Sequence, residues 1–326
     1  MSEIHSESHV TLVAGGAGFL GAHLCRRLLA QGHRVICMDS FLTGPRENVA
    51  CMLDDARFML IHHDIINPLP KGLRPTQIYN LACAASPRHY QADPIHTVRT
   101  CVQGALNLLE LATASNARIL QASTSEVYGG PQVHPQVEGY HGNVNPVGLR
   151  SCYDEGKRCA ETLFTDYARQ RHTSVKIARI FNTYGPGMAP DDGRVVSNFI
   201  CQALAGEALT IYGDGSQTRS LCYVDDMIDG LVLLMNSPAG FQGPVNLGNT
   251  EEVSVLDIAR RVCSLSPGCP QIEFQPLPSD DPVLRCPDIE LAKRHLSWQP
   301  TVSLDEGLAR TYAYFAGASC RVHEPT

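Results

Sequence analysis

Two short stretches of this chain carry side chains that could move protons. In "YDEGK", Tyr153 and Lys157 stand four residues apart, so on a helix they would share one face. A phenol with a pKa of about 10 is a poor base at neutral pH, and a neighbouring ammonium favours its ionised form. In "ASTSEVYG", a strand-like run ends in Thr124, Ser125 and Glu126. Hydroxyls at strand ends often only satisfy turn amides, so neither pattern decides the chemistry alone.

A glycine-rich turn upstream indicates a second kind of chemistry. "VAGGAGFLGAHL" places Gly15, Gly18 and Gly21 between a strand pattern and a helix pattern, where backbone and helix N-terminus can approach a pyrophosphate. Asp39 ends the next strand pattern 18 residues after Gly21. A carboxylate there accepts from ribose hydroxyls and repels a 2′-phosphate, which predicts NAD rather than NADP. Asp64, after a third strand pattern, either lies near the adenine or caps a turn.

Alternating strand and helix patterns must position these groups. Strand-like runs cover 9–14, 34–38, 57–61, 77–81, 117–121 and 174–180, and helical patterns cover 18–31, 94–115 and 152–171. This alternation predicts an α/β fold, a Rossmann-type doubly wound parallel sheet covered on both faces. The chain becomes loop-rich after residue 182. We therefore expect an NAD-binding domain over 1–182 with 224–238 returning to it, a smaller C-terminal substrate-binding lobe from 183–223 and 239–316, and a disordered tail over 317–326.

Composition argues against several classes of function. The net charge of −7 gives no polybasic footprint for nucleic acid or an anionic membrane. No run approaches the roughly 18 apolar residues of a membrane span, and residues 1–8 carry no apolar signal core. The 13 cysteines form no C-x-x-C pair and lie mostly in apolar segments. We expect reduced thiols, no metal site and a cytoplasmic protein.

The motifs together resemble one enzyme family. "GGAGFLG", "STSEVYG", "YDEGK", "ARIFNTYGP", "DDGRVVSNFI" and "YGDGSQTRSLCYV" are similar to the extended short-chain dehydrogenase/reductase superfamily. "NLACAASPRHYQ", "HPQVEGYHGNVNPVGLRSCYDEGKR" and "DDPVLRCPDI" narrow the resemblance to the UDP-glucuronic acid decarboxylases, also called UDP-xylose synthases. The resemblance runs from about residue 10 to residue 316.

That resemblance implies a redox-neutral cycle on a UDP-sugar. NAD+ oxidises C4 of UDP-glucuronic acid, the 4-keto sugar loses its C5 carboxylate as CO2, and NADH returns hydride to give UDP-xylose. Tyr153 would take the C4 hydroxyl proton, and Lys157 would tune it and hold the nicotinamide ribose. Thr124 would bond the C4 oxygen, while Ser125 and Glu126 would handle the carboxylate and the C5 side, Glu126 through its charge or its proton.

The same resemblance implies two sets of binding residues. The implied cofactor contacts are Gly15, Gly18, Phe19, Leu20, Gly21, Asp39, Asp64, Ile65, Leu81, Tyr153 and Lys157. The implied substrate contacts are Ser86, Tyr90, Asn182, Val195, Tyr212, Gln217, Arg219 and Arg285. Within that second set, Ser86 and Tyr90 belong near the glucuronate carboxylate, and the others, Arg285 included, belong to the UDP part.

The chain departs from the family pattern at five positions. Cys101 stands where asparagine is usual, and a thiol cannot make the paired hydrogen bonds of an amide. The other departures are Ala14 for threonine, Gly187 for arginine, Cys286 for a basic residue, and an added charge at Arg88. They concern the later steps and substrate affinity rather than the oxidation.

Several alternatives stay open. The same oxidation and decarboxylation could end in release of UDP-4-keto-pentose and NADH. A nucleotide-sugar 4,6-dehydratase generally has aspartate where this chain has Ser125, and a 4-epimerase needs no Glu126. A non-catalytic sensor that binds NAD and a nucleotide sugar is a fourth possibility. The apolar stripes on 94–115 and 152–171 either cover the sheet or, as the resemblance implies, form the four-helix seam of a homodimer.

Overall fold

The computed structural model describes residues 9–190, 192–268, 270–276 and 285–322, with side chains through residue 317. In this part of the chain the strands are β1 (Val10–Ala14), β2 (Arg34–Asp39), β3 (Phe58–His62), β4 (Gln77–Asn80), β5 (Arg118–Thr124), β6 (Val175–Ile180), β7 (Thr183–Tyr184), β8 (Leu209–Tyr212), β9 (Thr218–Ser220), β10 (Cys222–Tyr223), β11 (Val245–Leu247), β12 (Glu252–Ser254) and β13 (Ile272–Gln275). The helices are α1 (Phe19–Ala30), α2 (Pro87–Tyr90), α3 (Pro94–Arg99), α4 (Ala105–Ser115), α5 (Ser151–Arg171), α6 (Val195–Ala205), α7 (Val224–Asn236), α8 (Val255–Leu265), α9 (Glu290–Leu296) and α10 (Leu304–Val322).

Seven parallel strands form the main sheet, in the order β11-β6-β5-β4-β1-β2-β3. The strand order reverses at β1, since β2 and β3 lie on one side of it and the later strands on the other. In sheets of this kind a crevice opens at the carboxyl ends of the strands at such a reversal. The predicted doubly wound parallel sheet is confirmed, and the reversal fixes where a ligand would bind.

Helices cover both faces of this sheet because its strands are apolar on both sides. Along β1, Leu12 belongs to one buried cluster and Val13 to the other, as the period of two in a strand requires. On the first face Leu12 shares its cluster with Leu108 of α4 and Phe164 of α5. On the opposite face Val13 shares its cluster with Leu28 of α1. Each fully buried side chain of this size stabilises the fold by about 1.5–3 kcal/mol.

The helix expected over 94–115 is continuous but not uniform. Between α3 and α4 the backbone forms a π-turn over Thr100–Gly104. A β-carbon at Gly104 would overlap the Ile65 side chain, so the helix can pass this close to the loop after β3 only with glycine there. π-turns are rare and occur frequently at functional sites. This one carries Cys101, one of the departures from the family pattern.

The smaller lobe is built from short elements. Its two-stranded sheets pair β8 with β13, β9 with β12 and β7 with β10, and α6, α8 and α10 pack against one another. The segment 224–238 contains α7, which packs on α1 of the first lobe. However, Val245–Leu247 pairs with β6 in the main sheet. The expected start of the second lobe segment at residue 239 therefore needs revision, because this strand belongs to the main sheet.

The end of the chain also differs from expectation. Helix α10 runs through Val322, so the backbone of 317–322 is helical rather than a disordered tail. Residues 323–326 lie outside the described residues. None of the described helices combines the length and apolarity that a membrane span requires. Within the same ranges, no three His, Cys, Asp or Glu side chains are grouped so that they could hold a metal ion.

Candidate active site

The turn between β1 and α1 brings backbone close to the crevice. Gly15 has a φ of +78°, and a β-carbon there would lie 2.7 Å from the backbone nitrogen of Ala82. A β-carbon at Gly21 would overlap the carbonyl oxygen of Gly15. Helix α1 then begins at Phe19, with Gly18 at its N-cap. This cradle leaves the amide end of α1 directed at the position where a diphosphate would bind.

A pocket at the carboxyl ends of β1 and β2 contains most of the predicted cofactor residues. Six of the predicted side chains or backbone segments line this nucleotide pocket, namely Gly15, Gly18, Asp39, Asp64, Ile65 and Leu81. Phe19 and Leu20 lie half-buried against the core in the first turn of α1, and Gly21 packs under the turn. The buried Nε2 of His63, which also lines the pocket, finds no hydrogen-bond partner among the described residues. The cradle and this orphaned nitrogen fit a dinucleotide.

The two acids of the pocket are held by local bonds. Asp39 accepts from the backbone N–H of Ala17 at 2.9 Å and of Phe41 at 2.8 Å. Burial raises the pKa of Asp39, and these backbone donors only partly offset that effect. Asp64 accepts from the backbone N–H of Ile66 at 3.1 Å and lies 2.8 Å from Nε2 of His96. Asp64 therefore caps a turn and also lines the pocket, and its place near the adenine stays a prediction.

Replacing Gly21 with alanine should disrupt the cradle. The new methyl group would meet the Gly15 carbonyl, and backbone cannot rotate away as a side chain can. We expect the free energy of unfolding in urea to fall by about 1–3 kcal/mol, with weaker NAD+ binding in calorimetric titration. Gly240→Ala is the matched control, since a β-carbon there meets no described atom within 4 Å. Equal NAD+ affinity in both variants would contradict the assignment of this turn.

Five predicted catalytic side chains converge where β5 meets the start of α5, and we call this group the reacting end: Thr124, Ser125, Glu126, Tyr153 and Lys157. Thr124 ends β5, and Ser125 and Glu126 follow in a 3-10 turn. Tyr153 and Lys157 lie in the first two turns of α5, with the Lys157 ammonium 5.7 Å from the Tyr153 ring centroid. Lys157 Nζ donates to the Ala122 carbonyl at 2.8 Å. The helix spacing and the strand end thus bring these groups together as the sequence indicates.

The tyrosine is deeply enclosed. Its side chain is only 6% exposed, and its ring stacks on Tyr90 with centroids 5.0 Å apart. Burial raises the pKa of Tyr153 well above its ordinary value, and the hydrogen bond with Thr124 only partly offsets this. The charge of Lys157 alone therefore does not offset the effect of burial on this pKa. Formation of the phenolate needs further positive charge from a bound partner.

Glu126 is clamped by two arginines. Its Oε2 lies 2.6 Å from Arg150 Nη2 and 3.1 Å from Arg285 Nη2, and Oε1 lies 3.4 Å from Arg285 Nε. Burial alone would raise the pKa of Glu126, but the charges of Arg285 and Arg150 outweigh it and the pKa is lowered. Glu126 is thus held ionised at neutral pH, which argues against the expectation that its proton serves C5.

Only one of the two arginines, Arg285, was predicted from the sequence as a site residue. Arg285 has a described contact with Glu126 at the reacting end, and its predicted contact with the UDP part stays a prediction. Arg150 was missed altogether. It is the N-cap of α5, three residues before Tyr153, and this helical spacing was the only signal that could have found it. Burying a carboxylate is costly without partners, and Arg150 supplies a second basic partner for Glu126.

Asp154 is a buried acid next to this clamp that sequence reasoning did not single out. Its side chain is 7% exposed in the fold, and Oδ1 finds no hydrogen-bond partner within the described chain. Burial, followed by the charge of Glu126, raises the pKa of Asp154 to about 7, although Arg150 and Arg285 act in the opposite direction. This carboxyl group therefore changes charge near neutral pH inside the site.

Replacing Asp154 with asparagine should stabilise the protein at alkaline pH. A folded-state pKa above the ordinary value of 3.8 means that stability falls as pH rises from that value to about 7. We expect Asp154→Asn to unfold at higher urea concentration than the wild type at pH 8, with no difference at pH 4. Glu207→Gln, at an exposed acid after α6 that does not act on Asp154, is the control and should show no such pH-dependent gain. A gain for Asp154→Asn that is the same at both pH values would exclude titration as its cause.

The remaining predicted substrate residues are divided between two places. Ser86 and Tyr90 lie beside the reacting end, where Ser86 Oγ bonds His89 Nδ1 at 2.8 Å and the Tyr90 hydroxyl finds no described partner. The others lie in or next to the smaller lobe. They are Asn182 after β6, Val195 at the start of α6, Tyr212 at the end of β8, and Gln217 and Arg219 at β9. Gln217 Nε2 donates to the Tyr212 carbonyl at 2.7 Å.

Comparisons with known proteins agree with this geometry. A model of the NAD dependent epimerase/dehydratase family matches residues 11–248. The chain belongs to this family. It is 52% identical over 304 residues to UDP-glucuronic acid decarboxylase 1 of Arabidopsis thaliana, an alignment that covers 93% of this chain and 69% of that protein. A protein of the same name from Danio rerio is 52% identical over 305 residues, covering 94% and 72% of the two chains.

Solved members of the family share the whole fold. The crystal structure of UDP-glucuronic acid 4-epimerase from Bacillus cereus in complex with UDP-glucuronic acid and NAD superposes with a TM-score of 0.82 at 30% identity. The superposition covers 95% of this chain and 99% of that one. Family membership confirms the predicted enzyme class and NAD as the cofactor. The predicted resemblance to UDP-glucuronic acid decarboxylases is also confirmed.

Proposed function

We propose that this enzyme converts UDP-glucuronic acid into UDP-xylose and CO2, with NAD as a recycled cofactor. The observation that carries the proposal is the Arg150–Glu126–Arg285 clamp beside Tyr153 and Lys157. A site that only oxidises a sugar hydroxyl needs the tyrosine and the lysine. A carboxylate with two arginines is the addition that suits a substrate with its own carboxylate. The named relatives act as further support, since they are UDP-glucuronic acid decarboxylases.

Different residues act at C4 of the sugar, which is oxidised, and at C5, which carries the carboxylate. When bound, NAD accepts hydride from C4 of the sugar and returns it after the carboxylate has left. Tyr153 takes the C4 hydroxyl proton, assisted by the hydrogen bond with Thr124 and by the ammonium of Lys157. Tyr153 donates that proton back at the end of the cycle. Because the Ala122 carbonyl holds Lys157 Nζ at 2.8 Å, the charge stays fixed beside the phenol.

The clamp acts on the carboxylate side. Arg150 and Arg285 attract the glucuronate carboxylate, while the ionised Glu126 repels it and favours its loss as neutral CO2. The low pKa of Glu126 makes this an electrostatic role and not proton storage. Tyr90, which stacks on Tyr153, offers a hydroxyl with no described protein partner, and we assign Ser125 and Ser86 to the carboxylate side with it.

The cofactor and UDP sites are assigned on either side of the reacting end. The cofactor occupies the nucleotide pocket, with Asp39 on the adenosine ribose. The UDP part binds toward the smaller lobe, through Asn182, Val195, Tyr212, Gln217 and Arg219. In this proposal 1–182, together with the return through α7 and β11, forms the NAD-binding domain.

Assembly and location complete the proposal. The helices α3, α4 and α5 form the seam of a homodimer, because Ile95 and Val98 on α3 present large apolar side chains that are 73% and 40% exposed. The protein works in the cytoplasm, since the eleven described cysteines are all free thiols and such thiols persist in a reducing compartment.

Proton NMR of UDP-glucuronic acid with the purified protein and NAD+, followed together with NADH absorbance, tests the proposed reaction. We expect UDP-xylose with no net NADH. UDP-4-keto-pentose with stoichiometric NADH would show that the enzyme releases the keto sugar before hydride returns to C4. If folded, NAD-bound protein forms neither CO2 nor a C4-oxidised product, the proposal is overturned.

A further inference from the structure

Two thiols from separate elements meet at the edge of the nucleotide pocket. Cys83 lies in the segment after β4 and lines the pocket together with Leu81 and His96. Cys101 lies in the π-turn between α3 and α4. Their Sγ atoms are 3.5 Å apart. Cys101 is also one of the departures from the family pattern, in which asparagine is usual at this position.

The packing behind the pair connects it to the reacting end. Cys101 is 3% exposed and fills a notch in α5, because a β-carbon at Gly156 would lie 3.0 Å from Cys101 Cβ and 3.2 Å from its Sγ. Gly156 directly precedes Lys157. A movement of the Cys101 side chain toward α5 would therefore press on the helix turn that carries Lys157.

The charges around the pair suit thiol chemistry. The hydrogen bond from Cys101 lowers the pKa of Cys83 to about 7, with smaller help from the charges of Lys157 and His96 and against the effect of burial. The same hydrogen bond, and burial, raise the pKa of Cys101. A thiolate next to a thiol is the arrangement from which a disulfide forms, since the thiolate is the nucleophile.

We propose that Cys83 and Cys101 form a reversible disulfide that blocks the NAD site, with a hydroperoxide as the oxidant. The Cys83 thiolate attacks one oxygen of hydrogen peroxide, the O–O bond breaks, and hydroxide leaves to become water, which gives a sulfenic acid. The Cys101 sulfur then attacks the sulfenic sulfur, the S–S bond forms, and water leaves with the Cys101 proton. The two cysteines lose two electrons in total, and the peroxide is reduced to two waters.

Closing the disulfide would change the site. The two sulfurs must approach by about 1.5 Å to reach bonding distance, which draws the segment after β4 toward the π-turn and moves Cys101 against α5. A nucleotide in the pocket would cover Cys83, so NAD binding and oxidation exclude each other. The exclusion rests on the proposed cofactor site, whereas the disulfide itself rests only on the contact between the thiols.

Peptide mass spectrometry tests the proposal without using catalysis. NAD-free protein is treated with hydrogen peroxide, alkylated without reduction, and digested. We expect a peptide that links Cys83 to Cys101, two hydrogens lighter than the reduced pair, and its loss after dithiothreitol. With NAD+ at about 100 times its Kd, the link should form about 100-fold more slowly if only free protein reacts. Absence of the linked peptide, while exposed Cys51 and Cys159 are oxidised, would overturn the disulfide. An equal rate with and without NAD+ would overturn the exclusion.

Variants separate the pair from general oxidation. Cys101→Asn removes the second sulfur, so peroxide treatment should leave Cys83 as a sulfenic acid that dimedone traps, with no linked peptide. Cys159→Ser, on the exposed face of α5, should form the link at the wild-type rate. If Cys83 of the Cys101→Asn variant forms a disulfide with another cysteine as fast as it does with Cys101 in the wild type, the specific role of Cys101 is contradicted. These readouts remain valid if the protein does not decarboxylate UDP-glucuronic acid.

Discussion

Replacing Tyr153 with phenylalanine should lower kcat on UDP-glucuronic acid by about a hundred- to ten-thousandfold, the usual contribution of a positioned acid or base. The variant loses the hydroxyl that bonds Thr124, which is the group proposed to take the C4 proton. It keeps the ring that stacks on Tyr90 at 5.0 Å, so the pocket stays packed. We therefore expect NAD+ affinity, measured by calorimetric titration, and KM to change little while product formation, measured by NMR, nearly stops.

The pH profile gives this prediction a second readout. The deprotonated phenol is the active base and its pKa is raised by burial, so log kcat/KM of the wild type should increase with pH on the alkaline side. The Tyr153→Phe variant should lose that dependence. Tyr184→Phe is the matched control, because it removes another buried hydroxyl, one that donates to the Leu304 carbonyl at 3.3 Å far from the reacting end. A Tyr153→Phe enzyme within tenfold of the wild type would exclude the phenol as the base.

Replacing Glu126 with glutamine should damage both activity and stability. The change leaves the charges of Arg150 and Arg285 without their carboxylate, and breaking a buried pair costs about 3–5 kcal/mol. Loss of the charge that is proposed to repel the substrate carboxylate should also reduce kcat about a hundredfold or more. The measurements are urea unfolding and UDP-xylose formation by NMR.

The pH dependence of that stability loss has a defined sign. The pKa of Glu126 is lowered in the fold, so its contribution is fully present above the ordinary carboxyl value of about 4.3 and disappears as pH falls through the lowered pKa. The difference between wild type and Glu126→Gln should therefore be largest at neutral pH and shrink in acid.

Glu161→Gln is the control, since it opens a second enclosed ion pair, with Arg179 at 2.8 Å. It should also lose stability but keep kcat within a few-fold. A similar loss of kcat in both variants would show that Glu126 acts only through folding.

The sequence was most informative where local pattern and packing agree. The inner strands of the main sheet are largely buried and rich in apolar residues, and the turn after β1 needs glycine because backbone passes close behind it. The shared helix face of Tyr153 and Lys157 followed from their spacing of four, whereas the place of Thr124 beside them was implied by the family resemblance. These features depend on neighbours in the sequence, which is why they could be predicted.

Contacts between distant segments could not be predicted in this way. Strand β11 has only three residues within a loop-rich stretch, and only its pairing with β6 makes it part of the sheet. Arg285 meets Glu126 across 159 positions of chain, and no period in the sequence reports such a meeting. The two thiols Cys83 and Cys101 likewise belong to patterns that, taken separately, indicate only a loop and a helix.

The place of β11 in the sheet has a consequence for how the protein is made. A ribosome produces the chain from its amino end, so six strands of the main sheet are complete long before Val245–Leu247 emerges. Until then β6 is an open edge, and open edges favour pairing with strands of other molecules. The first lobe therefore cannot complete its folding before β11 has been synthesised. A chain released before residue 247 would be an aggregation hazard rather than a working cofactor-binding half.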